Sequence, residues 1–150
     1  MEVYRIVKEK FSKKLVASGR ANRWSLEDEF TIYAGSSRSL SSLELIVHEN
    51  AVSPLFKYKV MIISIADEQH LFGEISQNSL PANWRSMDAY PQLQQIGSNW
   101  YQTNKSLFLK VPSAIIPMEY NYIINTRHPD FQDKVMLVRT EELLWDKRLF

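Results

Sequence analysis

Three residues of this chain have side-chain types, in a recognisable order, that suggest chemistry. Arg23 lies in Arg23-Trp24-Ser25, Glu44 in Ser42-Leu43-Glu44, and Ser113 in Val111-Pro112-Ser113-Ala114-Ile115. A guanidinium binds a pair of phosphate oxygens as a planar fork, so Arg23 and the nearby Arg20 are a candidate anion clamp. Because loop arginines are common, two cations in a solvated loop are the alternative interpretation.

Glu44 is unusual because its position predicts a half-buried carboxylate. The clearest predicted helix spans 39–50, and Glu44 lies on the flank of its apolar stripe. A carboxylate there needs a partner or a shifted pKa. Ser41-Ser42-Leu43-Glu44 also fits a capping box, in which Ser41 is the cap and Leu40 and Leu45 form a hydrophobic staple. The local sequence by itself favours the cap.

Besides Arg23 and Glu44, four side chains have both a structural and a functional interpretation. Trp24 offers an apolar wall or a stacking surface beside the arginine. Tyr33 fits the core, and its ring could instead stack on a flat heterocycle. Ser113 is either a turn residue or a hydroxyl held at a defined place after a strand. His48 follows Glu44 by one helical turn, and such neighbours are usually weak surface partners.

Several kinds of catalytic site have no signature in the sequence. The chain contains no Cys, so it has no thiolate metal site and no cysteine nucleophile. His70 and His128 are isolated in sequence, and we expect no metal. No Gly-rich phosphate loop, G-x-S-x-G segment or Ser-His-Asp spacing is recognisable. Side chains must therefore do much of the work of holding any nucleotide.

The length of 150 residues predicts one domain, spanning 1–150. Lys and Arg number 18 and Asp and Glu 17, which argues against direct nucleic-acid binding. The N-terminus lacks the apolar stretch of a secretory signal. The longest apolar run, Val60-Met61-Ile62-Ile63, is too short to span a bilayer. Together with the lack of Cys, these features favour a cytoplasmic protein without membrane contact.

Sequence patterns predict the strands and helices that place these residues. Strands are predicted at 2–7, 30–34, 56–66, 107–111, 120–125 and 134–139, the third starting at a sheet edge and running inward. A second helix is predicted within 90–101, starting at Pro91. A helical turn is predicted at 11–17, and a tail helix at 141–150, capped by Thr140 and docked through Leu149 and Phe150. Few helices, not alternating with strands, predict an α+β fold with largely antiparallel sheet.

Short segments in a defined order resemble the RES-domain family over nearly the whole chain. The family usually has Gly before its Arg-Trp pair and Asn after it, where this chain has Asn22 and Ser25. Asn tolerates a left-handed backbone, so the loop is expected to survive. The matching segments are Val3-Tyr4-Arg5-Ile6, Arg23-Trp24-Ser25, Ile32-Tyr33-Ala34, 40–48, Leu80-Pro81-Ala82-Asn83-Trp84, Ile96-Gly97-Ser98-Asn99-Trp100, Val111-Pro112-Ser113-Ala114-Ile115 and Asn125-Thr126-Arg127-His128-Pro129.

The resemblance implies an ADP-ribosyltransferase-like fold and a bacterial toxin that degrades NAD, with an Xre-like antitoxin covering the site. Glu44 would be catalytic, stabilising the positive charge that grows as the nicotinamide–ribose bond breaks. Arg23 would bind the pyrophosphate or position the nicotinamide side. Tyr33 and Trp24 would line the NAD site, and Ser113 would orient the ribose or a carboxamide. With the resemblance, the catalytic interpretation of Glu44 replaces the cap.

Other functions stay open at this point. The acceptor of the ADP-ribose group is water, phosphate or a protein side chain, and the last makes the protein a mono-ADP-ribosyltransferase. A non-enzymatic interaction module is a further alternative, in which Glu44 is only a cap. An RNA-directed toxin is disfavoured by the balanced charge. The sequence fixes neither the oligomeric state nor the antitoxin, and a homodimer within a toxin–antitoxin complex is one expectation.

Overall fold

A computed structural model describes residues 1–49 and 55–149 of the chain. The described residues contain seven strands and three helices, joined by short 3-10 turns. The strands are β1 (Glu2–Lys8), β2 (Thr31–Gly35), β3 (Tyr58–Ile65), β4 (Phe72–Glu74), β5 (Phe108–Pro112), β6 (Tyr120–Asn125) and β7 (Val135–Glu142). The helices are α1 (Arg38–Glu49), α2 (Tyr90–Thr103) and α3 (Phe131–Lys134).

The seven strands form one mixed sheet in the order β4-β5-β6-β2-β1-β3-β7. Every pair is antiparallel except β4 with β5, so the predicted α+β class with largely antiparallel pairing is confirmed. β1 and β2 meet at a single register pair, Tyr4 with Gly35, whereas β1 pairs with β3 over its whole length. The sheet therefore opens between β1 and β2 beyond that pair.

Alternation along the strands divides the core between the two faces of the sheet. One face buries a continuous cluster that includes Ile32, Ala34 and Met61. The other face carries two clusters, one of which contains Leu93 of α2 and the other Leu45 and Ile46 of α1. On this second face the two helices cover separate clusters, and Tyr33 of β2 packs against the one beneath α2.

α2 packs unusually close to the loop that carries Arg23. Pro91 lies in the first turn of α2, as predicted, and Asn104 ends the helix in a left-handed conformation with φ 53°. A Cβ placed on Gly97 would lie 1.7 Å from the backbone oxygen of Trp24. Only glycine allows this approach, so Gly97 explains why α2 can buttress the loop.

Some predictions of local structure are wrong. The helical turn expected at 11–17 is absent: a 3-10 turn spans Glu9–Phe11, and the chain beyond it is irregular. β3 does not begin at an edge, because it lies between β1 and β7. The tail helix is also wrong, since β7 continues through Thr140 and only a 3-10 turn at Lys147–Leu149 follows. Pairing with β3 keeps residues 141 and 142 in β7, where the first turn of the expected helix would lie.

The tail docks, although not through the residues expected. Leu143 and Trp145 pack against the cluster beneath α1, whereas Leu149 is 59% exposed. Phe150 lies outside the described residues. The strand β4 and the short helix α3 were not predicted, because β4 is three residues long and α3 four.

The contact at Gly97 predicts a severe effect of one added methyl group. Gly97→Ala should destabilise the protein by about 2 kcal/mol or more, because rigid backbone must move to relieve the overlap. Gly73→Ala is the matched control. Its Cβ would meet side-chain atoms, with the nearest, Ser106 Oγ, at 3.1 Å, so its cost should be smaller. Urea denaturation measures both, and equal costs would contradict the role given to Gly97.

Candidate active site

Glu44 lies inside α1 and does not cap it. The helix begins at Arg38, and the hydroxyl of Ser37 just before it accepts a hydrogen bond from the Leu40 N–H. The predicted capping box with Ser41 as cap is therefore wrong. Ser41 Oγ instead lies within hydrogen-bond distance of the carbonyl oxygens of Tyr4 and Ser37, and ties the helix to β1.

The carboxylate of Glu44 is buried and receives three hydrogen bonds. Ser113 Oγ donates to Oε1 at 3.0 Å, and Asn121 Nδ2 donates to the same oxygen at 2.6 Å. His48 Nε2 lies 3.3 Å from Oε2. Glu44 is 8% exposed, while Ser113 and Asn121 are fully buried. The structure thus joins two residues that the sequence predicted, Glu44 and Ser113, and adds two more.

Strand register explains why these donors meet. Asn121 of β6 pairs with Gly35 of β2, directly before the turn that leads into α1. Ser113 follows the last residue of β5, and its backbone N–H donates to the Glu119 carbonyl. The N–H groups of Ile115 and Ile116 donate to Ser113 Oγ, each at 3.1 Å. With its lone pairs occupied, the hydroxyl is fixed as a donor towards Glu44.

These donors keep the Glu44 carboxylate ionised. Burial by itself would raise its pKa, but hydrogen bonds from His48, Asn121 and Ser113 favour the charged form more strongly. The pKa of Glu44 is therefore lowered. A buried carboxylate held as an anion is a group that can stabilise positive charge in a bound molecule.

Tyr33 completes this hydrogen-bond network. Asn121 Nδ2 donates to Tyr33 Oη at 2.9 Å as well as to Glu44. Burial and the nearby Glu44 charge raise the pKa of Tyr33 well above its ordinary value, so its hydroxyl stays protonated. The ring meets the His48 imidazole edge-on, with 6.4 Å between centroids. Tyr33 therefore presents a neutral O–H donor beside the anion.

Arg23 is held near this network without touching Glu44. Its Nη1 donates to the carbonyl oxygens of Trp84 at 2.9 Å and Ser86 at 3.4 Å. Its guanidinium carbon lies 4.6 Å from the centroid of the Tyr90 ring. The positive charge of Arg23 opposes the upward shift of the Tyr33 pKa, which places the cation within electrostatic range of the site.

Trp24 belongs to the core rather than to a binding wall. It is 1% exposed and packs in the cluster beneath α2. Asn22 Oδ1 accepts a hydrogen bond from the Trp24 N–H, and Asn22 pairs with Ser25 through a short β-bridge. The expected left-handed backbone at Asn22 is wrong: among described non-glycine residues, positive φ occurs at Asp28 and Asn104. The hydrogen bond between Asn22 and Trp24 and the bridge between Asn22 and Ser25 hold the loop instead.

The carboxylate adjoins a hollow of about 150 Å³ bordered by Tyr33, Glu44 and His48. Gly35 lies at its floor, where a Cβ would come within 2.5 Å of Ser41 Oγ. Asn121 Oδ1 is buried and has no hydrogen-bond partner in the described part of the chain. The hollow supplies a place where part of a small molecule can approach the anion.

Sequence reasoning missed Asn121 and undervalued His48. Asn121 occurs in a strand that reads as ordinary core, and its only signal is a polar side chain among apolar neighbours. The spacing from Glu44 predicts that His48 is only a weak surface partner, yet it contacts both Glu44 and Tyr33. Within 1–49 and 55–149, no group of three or more metal-binding side chains is present. No described helix has the length and apolar character needed to cross a bilayer.

Comparison with known proteins identifies the family. The RES domain matches residues 2–146, so the chain belongs to the RES family. It is 33% identical to a Yersinia enterocolitica protein named Toxin Res, covering 99% of each chain. It is 31% identical to a Pseudomonas putida protein of the same name, covering 87% of this chain and 86% of that one.

A third relative has a more specific name. The chain is 35% identical to a Sphingobium protein named Prs ADP-ribosylating toxin, over 85% of this chain and 79% of that protein.

The lowered pKa of Glu44 predicts loss of stability in acid. A carboxyl group with a lower pKa in the folded state stabilises the fold above its unfolded-state pKa of about 4.3. This contribution disappears as pH falls through the folded-state pKa. The free energy of unfolding should therefore fall more steeply in wild type than in Glu44→Gln as the pH decreases below about 5. Urea denaturation across that range is the measurement, and parallel curves would contradict the assignment.

Proposed function

We propose that this RES-family protein is a toxin that cleaves the nicotinamide–ribose bond of NAD. The observation that supports this most is the ionised carboxylate of Glu44. It is buried, it accepts three hydrogen bonds, and it borders a hollow. Cleavage of an N-glycosidic bond passes through an oxocarbenium-like state, with positive charge on the ribose. An anion fixed before the reaction stabilises that charge without reorganising.

In this proposal the bond between ribose C1 and the nicotinamide nitrogen breaks, and its electron pair leaves with nicotinamide. Glu44 lies against the ribose and faces the growing charge. An acceptor then bonds to C1 and, where the acceptor is water, releases a proton. Tyr33, kept neutral by its raised pKa, donates a hydrogen bond from its hydroxyl group to the ribose or the carboxamide. Its ring supplies a flat surface for nicotinamide.

Arg23 is the proposed pyrophosphate ligand. Nη1 is occupied by the carbonyl oxygens of Trp84 and Ser86. Among the described residues, Nε and Nη2 have no hydrogen-bond partner, which leaves a fork for two phosphate oxygens. Ser113 has no exposed surface, so we propose that it acts through Glu44, rather than on the ribose directly.

Transfer of ADP-ribose to a protein is the second candidate. The Sphingobium relative is named for such an activity, and the donor chemistry at Glu44 is the same for both functions. The acceptor decides between them: water or phosphate yields a free product, whereas a side chain yields a modified protein. We further propose a cytoplasmic site of action, where NAD is abundant, and an Xre-like antitoxin that covers the site, with a homodimer as one arrangement of the complex.

Nicotinamide release from NAD by purified protein tests the proposal. Glu44→Gln keeps the size of the side chain and removes its charge, so release should fall on the order of 10²–10³-fold. Glu2→Gln is the matched control, because Glu2 is exposed at the start of β1, and its rate should equal that of wild type. Undiminished release by Glu44→Gln would refute the role of the carboxylate.

The same assay distinguishes the acceptors. Acceleration by added phosphate, with a phosphorylated ribose product, indicates phosphorolysis, and a rate independent of phosphate indicates hydrolysis. Release that requires added bacterial protein, with radioactive ADP-ribose on a polypeptide, indicates the transferase. No release under all three conditions would contradict the proposed bond cleavage.

A further inference from the structure

A basic groove runs along β1 and the segment that follows it. The groove has a volume of about 830 Å³. Five of the residues that line it are basic and none is acidic, although the whole chain carries a net charge of only +1. The basic residues are Arg5, Lys10, Lys13, Lys14 and Arg20.

These five cations have no carboxylate partner among the described residues. Other lysines do: Lys59 pairs with Glu142, Lys110 with Glu74, and Lys134 with Glu68. Acidic residues are almost as numerous as basic ones in this chain, so their absence from the groove concentrates positive potential there. Such a concentration attracts an anionic partner and steers its approach.

Arg5 gives the groove a partly buried anchor. Its Nη1 donates to the Val16 carbonyl at 3.0 Å, which ties the segment after β1 to the strand. Burial lowers the pKa of Arg5, as expected for a cation removed from water without a counter-charge. An incoming carboxylate would compensate that loss of hydration, and the guanidinium would bind it in a fork.

The wall of the groove is apolar between the cations. Phe11 is 61% exposed and Val16 54% exposed, and both line the groove. Phosphate groups gain nothing from such a wall. Single-stranded nucleic acid binds on several stacked aromatic rings, whereas Phe11 is the one aromatic residue described in this lining. Alternating charge and apolar surface instead matches a polypeptide with acidic and apolar side chains.

The groove lies across the sheet from Glu44. Side chains alternate along β1, and Val3 and Val7 pack on the face that carries the continuous core. Arg5 shares their parity and bonds to the segment on that side. Glu44 and Tyr33 belong to the opposite face. The basic groove and the hollow beside Glu44 approach each other where β1 leaves β2, since Arg5 borders both. A molecule in the groove would leave Glu44 uncovered.

We propose that this groove docks an acidic polypeptide segment of a partner protein. Carboxylates of the segment pair with Arg5 and with the lysines at 13 and 14, and an apolar side chain packs against Phe11 and Val16. The site is separate from the proposed NAD chemistry and does not depend on it.

Peptide binding measured by fluorescence anisotropy tests this proposal. The probe is a short labelled peptide of repeating Glu-Glu-Leu, compared with Lys-Lys-Leu and with a single-stranded oligonucleotide of equal negative charge. Lys13→Glu/Lys14→Glu should weaken binding of the acidic peptide about tenfold or more, because two attractive pairs become repulsive. Binding should also weaken as salt increases.

The control is Lys105→Glu/Lys147→Glu, which changes the net charge equally at exposed positions elsewhere, and it should bind the peptide as wild type does. Equal weakening by both variants would show that overall charge and not the groove is responsible. Preference for the oligonucleotide, or no peptide binding at low salt, would also overturn the proposal. Because the assay contains no NAD, its outcome is independent of the proposed cleavage. Circular dichroism establishes that each variant is folded.

Discussion

The burial of one ionised carboxylate constrains the rest of this structure. Glu44 loses most of its contact with water inside the protein, and a carboxylate does so only where hydrogen bonds replace hydration. The replacement comes from three separate parts of the chain: His48 on the same helix, Ser113 after β5 and Asn121 on β6. The sheet order brings β5, β6 and β2 side by side, so the donors and the start of α1 meet at one place.

Close packing at two glycines gives this arrangement its geometry. Gly35 lets α1 approach β2 so that the Ser41 hydroxyl bonds to β1. The same approach brings Glu44 to the side-chain amide of Asn121. Gly97 does the same for α2 and the loop that carries Arg23. Both contacts involve atoms that cannot swing aside, because Gly97 faces backbone and Gly35 faces a hydroxyl already tied by hydrogen bonds. The cation and the anion of the site are thereby fixed by different helices on one sheet.

The sequence predicted the regular elements near the site better than the way they assemble. Partial alternation identified β1, β-branched and aromatic residues identified β2, and proline placed the start of α2, because these signals are local. The role of Glu44 could not be predicted from its neighbours in the chain, because Ser41-Ser42-Leu43-Glu44 fits a capping box. The structure shows that Ser37 caps the helix instead. Resemblance to the family favoured a role for Glu44 other than the cap, for reasons outside the local sequence.

The role of Asn121 also could not be predicted from the local sequence. Its partners, Tyr33 and Glu44, are 88 and 77 residues away in the chain, and no spacing rule links them. Only strand register, with Asn121 opposite Gly35, brings the amide to the carboxylate. The expected tail helix failed at its start for a related reason, since residues 141 and 142 pair with β3 instead.

The proposed site requires that Glu44 is held as an anion by its hydrogen-bond donors, and NMR can measure whether it is. The carboxyl carbon of Glu44, followed by ¹³C chemical shift against pH and assigned by its loss in Glu44→Gln, reports the pKa of that group. We expect a pKa below the ordinary glutamate range in wild type, moving upward in Asn121→Ala, where one donor is removed and burial persists. A wild-type pKa at or above the ordinary value would contradict it, because the donors would then fail to offset burial.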